Sequence, residues 1–127
     1  MSHQNTWEEN GLYRKFSDKI SGEEILTSNL AIHGDARFDD IRYVINDFTQ
    51  VVKFEAAEID ILKIATIDNV GAISNSYLKI AIVATSESVL DWIHQYCKQM
   101  QDSPLECKIF ESVNDAYGWV SKSLSSA

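Results

Sequence analysis

The strongest constraint in this chain is the alternation of short apolar runs with capped, helically periodic stretches. Its clearest case is Ile41-Arg42-Tyr43-Val44-Ile45-Asn46-Asp47-Phe48-Thr49. Tyr43-Val44-Ile45 is aromatic and β-branched, the pattern of a strand covered on both faces. The segment reads as a strand from Ile41 to Thr49 whose apolar stretch stops at Asn46-Asp47. It feeds the longest helical stretch, Phe54 to Ile73. Tyr77 to Ala84 is a second parallel-type strand and Glu106 to Phe110 a third. Strands alternating with helices predict a sheet whose later strands are parallel and joined by right-handed crossovers. In open sheets of that kind, ligands and partners bind at the carboxyl ends of the strands. Asp47, at the expected end of the central strand, is therefore the acid to watch; forming the turn into the helix is its simplest role.

The flanking segments complete the pattern. Thr6 to Phe16 contains Asn10-Gly11, the dipeptide that favours a type I′ turn with positive φ at both central residues, and so predicts an antiparallel hairpin. Leu12, Arg14 and Phe16, with Tyr13 and Lys15 between them, do not alternate cleanly. Ser21-Gly22-Glu23-Glu24 is a capping box, with Ile20 and Ile25 as its staple and Ile25, Leu26, Leu30 and Ile32 as the buried stripe. Gly34 is the expected stop, and His33 the expected dipole partner at that helix end. Phe38 anchors a polar connector. Thr85 to Ser88 caps a helix reaching about Met100, with Val89, Ile93, Tyr96, Cys97 and Met100 inward and Trp92 on the shoulder. Ser112 caps the last helix, with Val113, Ala116, Tyr117, Val120 and Leu124 inward and a frayed Ser/Ala tail.

The long helix is unusual. At about 100° per residue, Phe54, Ala57, Ile61, Ile64, Ala65 and Ala72 fall on one side. Ile59, Leu62, Ile67, Val70 and Ile73 fall on the other. A helix on a sheet normally has one apolar stripe. A second stripe predicts a second cover: a neighbouring element, another subunit, an apolar ligand or a bilayer.

Composition narrows the functional classes. The 127 residues make one domain with room for a core. A net charge of −8, with lysines and arginines scattered, argues against nucleic acid, which needs a basic face. The same sign opposes electrostatic attachment to an anionic membrane. The start lacks a basic and an apolar signal region, and no uncharged run spans a bilayer, so a cytoplasmic location is expected. Cys97 and Cys107 read as two free thiols serving as small core hydrophobes. His94, Cys97 and Cys107 offer three ligand types, without a fourth ligand or a CxxC pair, so no metal and no cofactor is expected. No phosphate-cradling glycine loop or nucleophile elbow follows any strand, and an enzyme is not expected.

Three stretches carry a resemblance: Asp-Ala-Arg-Phe-Asp-Asp-Ile-Arg-Tyr-Val-Ile-Asn-Asp-Phe (Asp35 to Phe48), Leu-Lys-Ile-Ala-Ile-Val-Ala (Leu78 to Ala84), and the closing Ile-Phe-Glu-Ser-Val-Asn-Asp-Ala-Tyr-Gly-Trp-Val (Ile109 to Val120). They resemble the bacterial SpoIIAA-like family. That resemblance implies an α/β fold: a right-handed βα superhelix with a mixed sheet, an N-terminal antiparallel hairpin and helices packed on the sheet. It also implies kinship with STAS domains and with lipid-carrying CRAL-TRIO domains. In phospho-switched STAS proteins, a strand ending in Asp leads to a serine at the start of the next helix. Setting Asp47 on that Asp puts Ala57 on the serine and Glu58 on the following glycine. The switch hydroxyl is therefore absent, although Thr49 keeps one just after the strand.

The leading expectation is a non-enzymatic binding domain for an apolar small molecule or lipid, with transient peripheral contact at a membrane surface. Its expected ligand residues are Phe54, Ile59, Leu62, Ile67 and Val70, with Trp92 and Tyr96 as walls. The alternative is a STAS-like protein-interaction module that docks through Asp47, Thr49 and Glu58. A homodimer through the long helix is the third.

Overall fold

The computed structural model describes residues 3–125. In order, the elements are β1 (His3–Trp7), β2 (Gly11–Ser21), α1 (Gly22–His33), a 3-10 turn (Ala36–Asp40), β3 (Tyr43–Glu55), α2 (Glu58–Ser74), β4 (Lys79–Val83), α3 (Glu87–Gln99), β5 (Glu106–Phe110) and α4 (Val113–Ser125). The five strands lie in chain order, β1-β2-β3-β4-β5. β1 is antiparallel to β2, and every later pairing is parallel. This is the mixed sheet with an N-terminal hairpin that the strand-helix alternation predicts. Leu124 and the Ser/Ala tail fall outside the described side chains.

The sheet is covered on both faces. Alternation along β3 sends Val44 and Phe48 to one side and Tyr43 and Ile45 to the other. The larger core joins Leu12, Val44 and Ile80 of the sheet to Ile25 of α1, Ile61 of α2 and Ile93 of α3. The smaller core packs Tyr43, Ile45, Ala81 and Val83 under Ala116 and Val120 of α4. A chain that keeps the same crossover hand while adding strands in one direction puts every crossover helix on one face, so α1, α2 and α3 share a side.

The main departure from the sequence reading lies at the end of β3. The strand does not stop at Thr49; it runs to Glu55, and α2 begins at Glu58 rather than Phe54. β2 is equally long, and the two pair in parallel from Gly11–Tyr43 to Ser21–Glu55, with register shifts around Ser17 and Lys19. β4 accompanies β3 only as far as the Asp47–Val83 pair. Residues beyond Asp47 therefore form a two-stranded ribbon projecting from the sheet. Val51 and Phe54 turn inward onto the larger core, while Val52 is 86% exposed. Lys19 and Lys53 bracket Glu55 at 3.4 and 3.2 Å. Asp18, at φ 57°, is the one non-glycine residue of positive φ among those described, and it sits at the ribbon's irregular register.

Smaller departures have local causes. The hairpin turns at Glu9-Asn10, one residue before the expected Asn10-Gly11: Trp7 pairs with Leu12, the Glu8 amide donates to the Gly11 carbonyl at 2.8 Å, and no described glycine has positive φ. Gly11 is instead required by packing, because a Cβ there would lie 2.3 Å from the Tyr43 ring. Ser21 caps α1 as expected, its hydroxyl accepting from the Glu24 amide at 3.1 Å. The Glu24 carboxylate meets His3 Nδ1 at 2.7 Å. Gly34 ends α1 in a right-handed conformation, φ −83°. Leu30 is 53% exposed, because α1 turns Ser28 and Asn29 inward instead.

Candidate functional site

The outer face of α2 follows directly from its spacing. Ile59, Leu62, Thr66, Val70 and Ile73 are separated by three or four residues and so share one side of the helix. Ile59, Leu62, Val70 and Ile73 are 56%, 50%, 62% and 85% exposed. The Thr66 hydroxyl donates to the Leu62 carbonyl at 2.7 Å, so the one polar group in the row is turned back on the backbone. At 1.5 Å per residue the row is about 20 Å long. No described element covers it, whereas Ile61, Ile64, Ala65, Asp68, Gly71 and Ala72 form the buried inner side. Ile67 is half-buried at the margin.

The expected ligand residues thus divide. Ile59, Leu62 and Val70 lie together outside, with Ile67 at their border. Phe54, Trp92 and Tyr96 lie under the helices instead. Trp92 and Tyr96 are 8% and 5% exposed and stack at 6.4 Å. Phe54 belongs to β3, and its ring meets Trp92 edge-on at 5.2 Å. The Trp92 indole donates to the Ala57 carbonyl at 3.1 Å, tying α3 to the start of α2. Trp92 and Tyr96 are walls of the interior, separated from the outer row by the thickness of α2.

That interior holds a charged centre that the sequence reading passes over. Arg14 occupies an inward position on β2 between Leu12 and Phe16, and is 3% exposed. Its Nη1 donates to Asn29 Oδ1 at 2.8 Å and to Asn46 Oδ1 at 3.1 Å, and its Nη2 to the Ser28 hydroxyl at 2.7 Å. Its Nε has no hydrogen-bond partner among the described residues. Asn29 passes the contact on, donating to Asp68 Oδ1 at 3.1 Å, while the Tyr96 hydroxyl donates to Asp68 Oδ2. His33 Nε2 stands 3.5 Å from the same carboxylate. Burial raises the Asp68 pKa to about 6, against the opposing pull of Tyr96, Arg14 and Asn29. Burial and the nearby Arg14 charge hold His33 below its ordinary value. Desolvation lowers Arg14 only to about 10, and it stays a cation at neutral pH. Two cavities of about 30 Å³ flank this centre. One is bordered by Phe16, Phe48, Trp92 and Tyr96, the other by Phe38, Leu78 and Leu105; Arg14, Asn29, Asn46 and Asp68 line both. Each has room for one or two waters. The available signal was the broken alternation of β2: a cation between two inward apolar residues demands acceptors opposite it.

The expected docking residues Asp47, Thr49 and Glu58 do not form one surface. Asp47 is 3% exposed in mid-strand, where it accepts from Tyr13 Oη at 2.5 Å and from the Thr49 amide and hydroxyl at 2.9 and 2.7 Å. The Thr49 hydroxyl is thereby occupied. Glu58 is exposed at the start of α2, beyond the ribbon. Ala57 is the N-cap of α2, with its amide donating to Asp60 Oδ2 at 2.9 Å. Nearby on the α4 face, Tyr43 and Tyr117 donate to the two oxygens of Glu8 at 2.7 and 2.8 Å. Burial, chiefly, raises the pKa of Tyr13, Tyr43 and Tyr117.

Among the described residues, no group of three or more His, Cys, Asp or Glu could hold a metal ion. None of the described helices is long and apolar enough to cross a membrane. No family model matches the sequence, and no curated protein matches it. Among solved structures, the chain is similar to an uncharacterized protein of Shewanella loihica from the DUF3478 family, described as having a SpoIIAA-like fold. The two are 21% identical, the match covers 94% of this chain and 93% of that one, and the TM-score is 0.51. The fold of this chain is SpoIIAA-like.

Proposed function

We propose that this domain is a non-enzymatic binding module whose working surface is the outer face of α2, and that it docks the apolar face of a protein partner. The observation that carries this reading is the row Ile59, Leu62, Val70 and Ile73, each at least half exposed. Charge favours a protein over a bilayer. Helices that lie on membranes are rich in lysine and arginine on their polar face, whereas the charges of α2 outside the core are Lys63 alone beside Glu58 and Asp60. This is the STAS-like reading moved from the strand end to the helix, without a phosphorylated hydroxyl, since Ala57 stands where the switch serine would be.

The decisive experiment changes Leu62 and Val70 together to Glu. Surface substitutions of this kind alter stability by about 0.5 kcal/mol or less each, so the fold should persist by circular dichroism. Co-purification with the cognate partner, or the dimer fraction in sizing at several concentrations, should fall at least tenfold. Unchanged binding by a folded double variant would overturn the reading, and loss of flotation with phosphatidylcholine vesicles alone would transfer the surface to lipid.

A further inference from the structure

We propose that Cys97 and Cys107 are a dithiol–disulfide pair that exchanges with small anionic disulfides in the groove between α3 and β5. The two side chains come from different elements, Cys97 from the last turn of α3 and Cys107 from the edge strand β5, and their sulfurs are 3.1 Å apart. Both are free thiols. A bonded pair needs about 2.05 Å, so closure asks for a movement of about 1 Å. The connection between them, Gln101 to Leu105, is short and contains Pro104.

The setting points to a reagent of defined chemistry. Both cysteines line an open groove of about 740 Å³, within the range that holds small ligands. Lys98, Lys108 and His94 also line it, and Glu106 is the one carboxylate among its described residues. In a chain of net charge −8, these two lysines suit a disulfide that carries carboxylates, with each half about the size of a tripeptide. The pair is also unequal. Cys97 is the less buried of the two, and its hydrogen bond with Cys107 lowers its pKa. Cys107 is pushed up by that same bond and by burial. Cys97 is accordingly the attacking thiol and Cys107 the resolving one.

The exchange balances without other reagents. The Cys97 thiolate attacks one sulfur of the disulfide RSSR; that S–S bond breaks, and RS⁻ leaves and takes up the proton Cys97 has lost. The Cys107 thiolate, having given its proton to solvent, then attacks Cys97 Sγ and expels the second RS⁻, which is protonated in turn. Two protein thiols are oxidised, and one RSSR is reduced to two RSH. The new bond fastens the sheet edge at β5 to α3, one residue from Tyr96 and its bond to Asp68.

The test uses the whole chain with oxidised glutathione as the probe. On incubation, the intact mass should fall by two hydrogens, and maleimide-reactive thiols should fall from two to none; dithiothreitol should restore both. Closing this short loop should raise Tm by roughly 5–10 °C. Cys107→Ser should stop at a single glutathione adduct on Cys97, whereas Cys97→Ser should gain none. The proposal is overturned if the wild-type chain keeps two reactive thiols, stops at a stable glutathione adduct, or forms covalent dimers. The wild-type arm decides the matter even if a serine variant folds poorly.

Discussion

Asp68 offers the sharpest test of the interior. The carboxyl is 5% exposed, and its pKa is about 6 in the fold against 3.8 for the free side chain. The folded state therefore holds this proton more tightly than the unfolded chain does. Its stabilising contribution is complete below pH 3.8 and is lost as pH rises through 6. About two pH units at 1.36 kcal/mol each give roughly 3 kcal/mol across that window. Asp68→Asn removes the titration and keeps one acceptor for Tyr96 or Asn29. Urea unfolding of both proteins, followed by tryptophan fluorescence from pH 4 to pH 7.5, isolates the effect. Subtracting the variant's stability from the wild type's cancels the other carboxylates. The difference should fall by about 2 kcal/mol between pH 4 and pH 6.5 and then level off. The groups facing Asp68 are Arg14 from β2, Asn29 and His33 from α1, and Tyr96 from α3. Repeating the pair with His33→Gln in both backgrounds removes the histidine's own titration. A difference that stays flat within about 0.5 kcal/mol would mean that Arg14 keeps Asp68 ionised throughout, and would refute the argument that desolvation outweighs the guanidinium.

Two further outcomes follow from packing. Gly118 lies exposed within α4 with nothing within 4 Å of an added Cβ, so Gly118→Ala should raise stability by about 0.5–1 kcal/mol, seen as a higher Tm in calorimetry. Asn75, 4% exposed, donates through Nδ2 to the carbonyls of Phe38 and Ile41 at 2.9 and 2.8 Å; Asn75→Ala should cost about 1–3 kcal/mol in denaturant titration by leaving both unsatisfied.

The parts of the fold legible in the sequence are those where pattern and packing agree. α3 runs from its Ser86 N-cap to Met100 with Val89, Ile93, Tyr96 and Met100 buried, and β5 spans the expected Glu106 to Phe110. The end of β3 was illegible for a physical reason. A ribbon with one partner strand and one open face does not need a continuous apolar run, so Gln50, Lys53 and Glu55 read as the end of a strand when they are its exposed side. Moving that boundary carries Phe54 off the helix and leaves Asp47 in mid-strand. The outer row of α2 was legible because helical spacing alone defines it. The centre around Arg14 was not, because its members come from β2, α1, β3, α2 and α3, and only the fold brings them together.

The strand order has a consequence for how the chain assembles. Gly11 pairs with Tyr43, Tyr43 with Lys79, and Lys79 with Glu106, separations of 32, 36 and 27 residues. Because loop-closure entropy changes only with the logarithm of length, each of these steps costs nearly the same. No strand has to be inserted between two that are already paired. The sheet can therefore grow from its amino-terminal hairpin outward in the order in which the ribosome delivers it, each arrival docking on the edge left by the one before. β5 is the last to arrive, and only its arrival sets Cys107 beside Cys97. A closed sulfur bridge would then record that synthesis and assembly had both reached the end of the sheet.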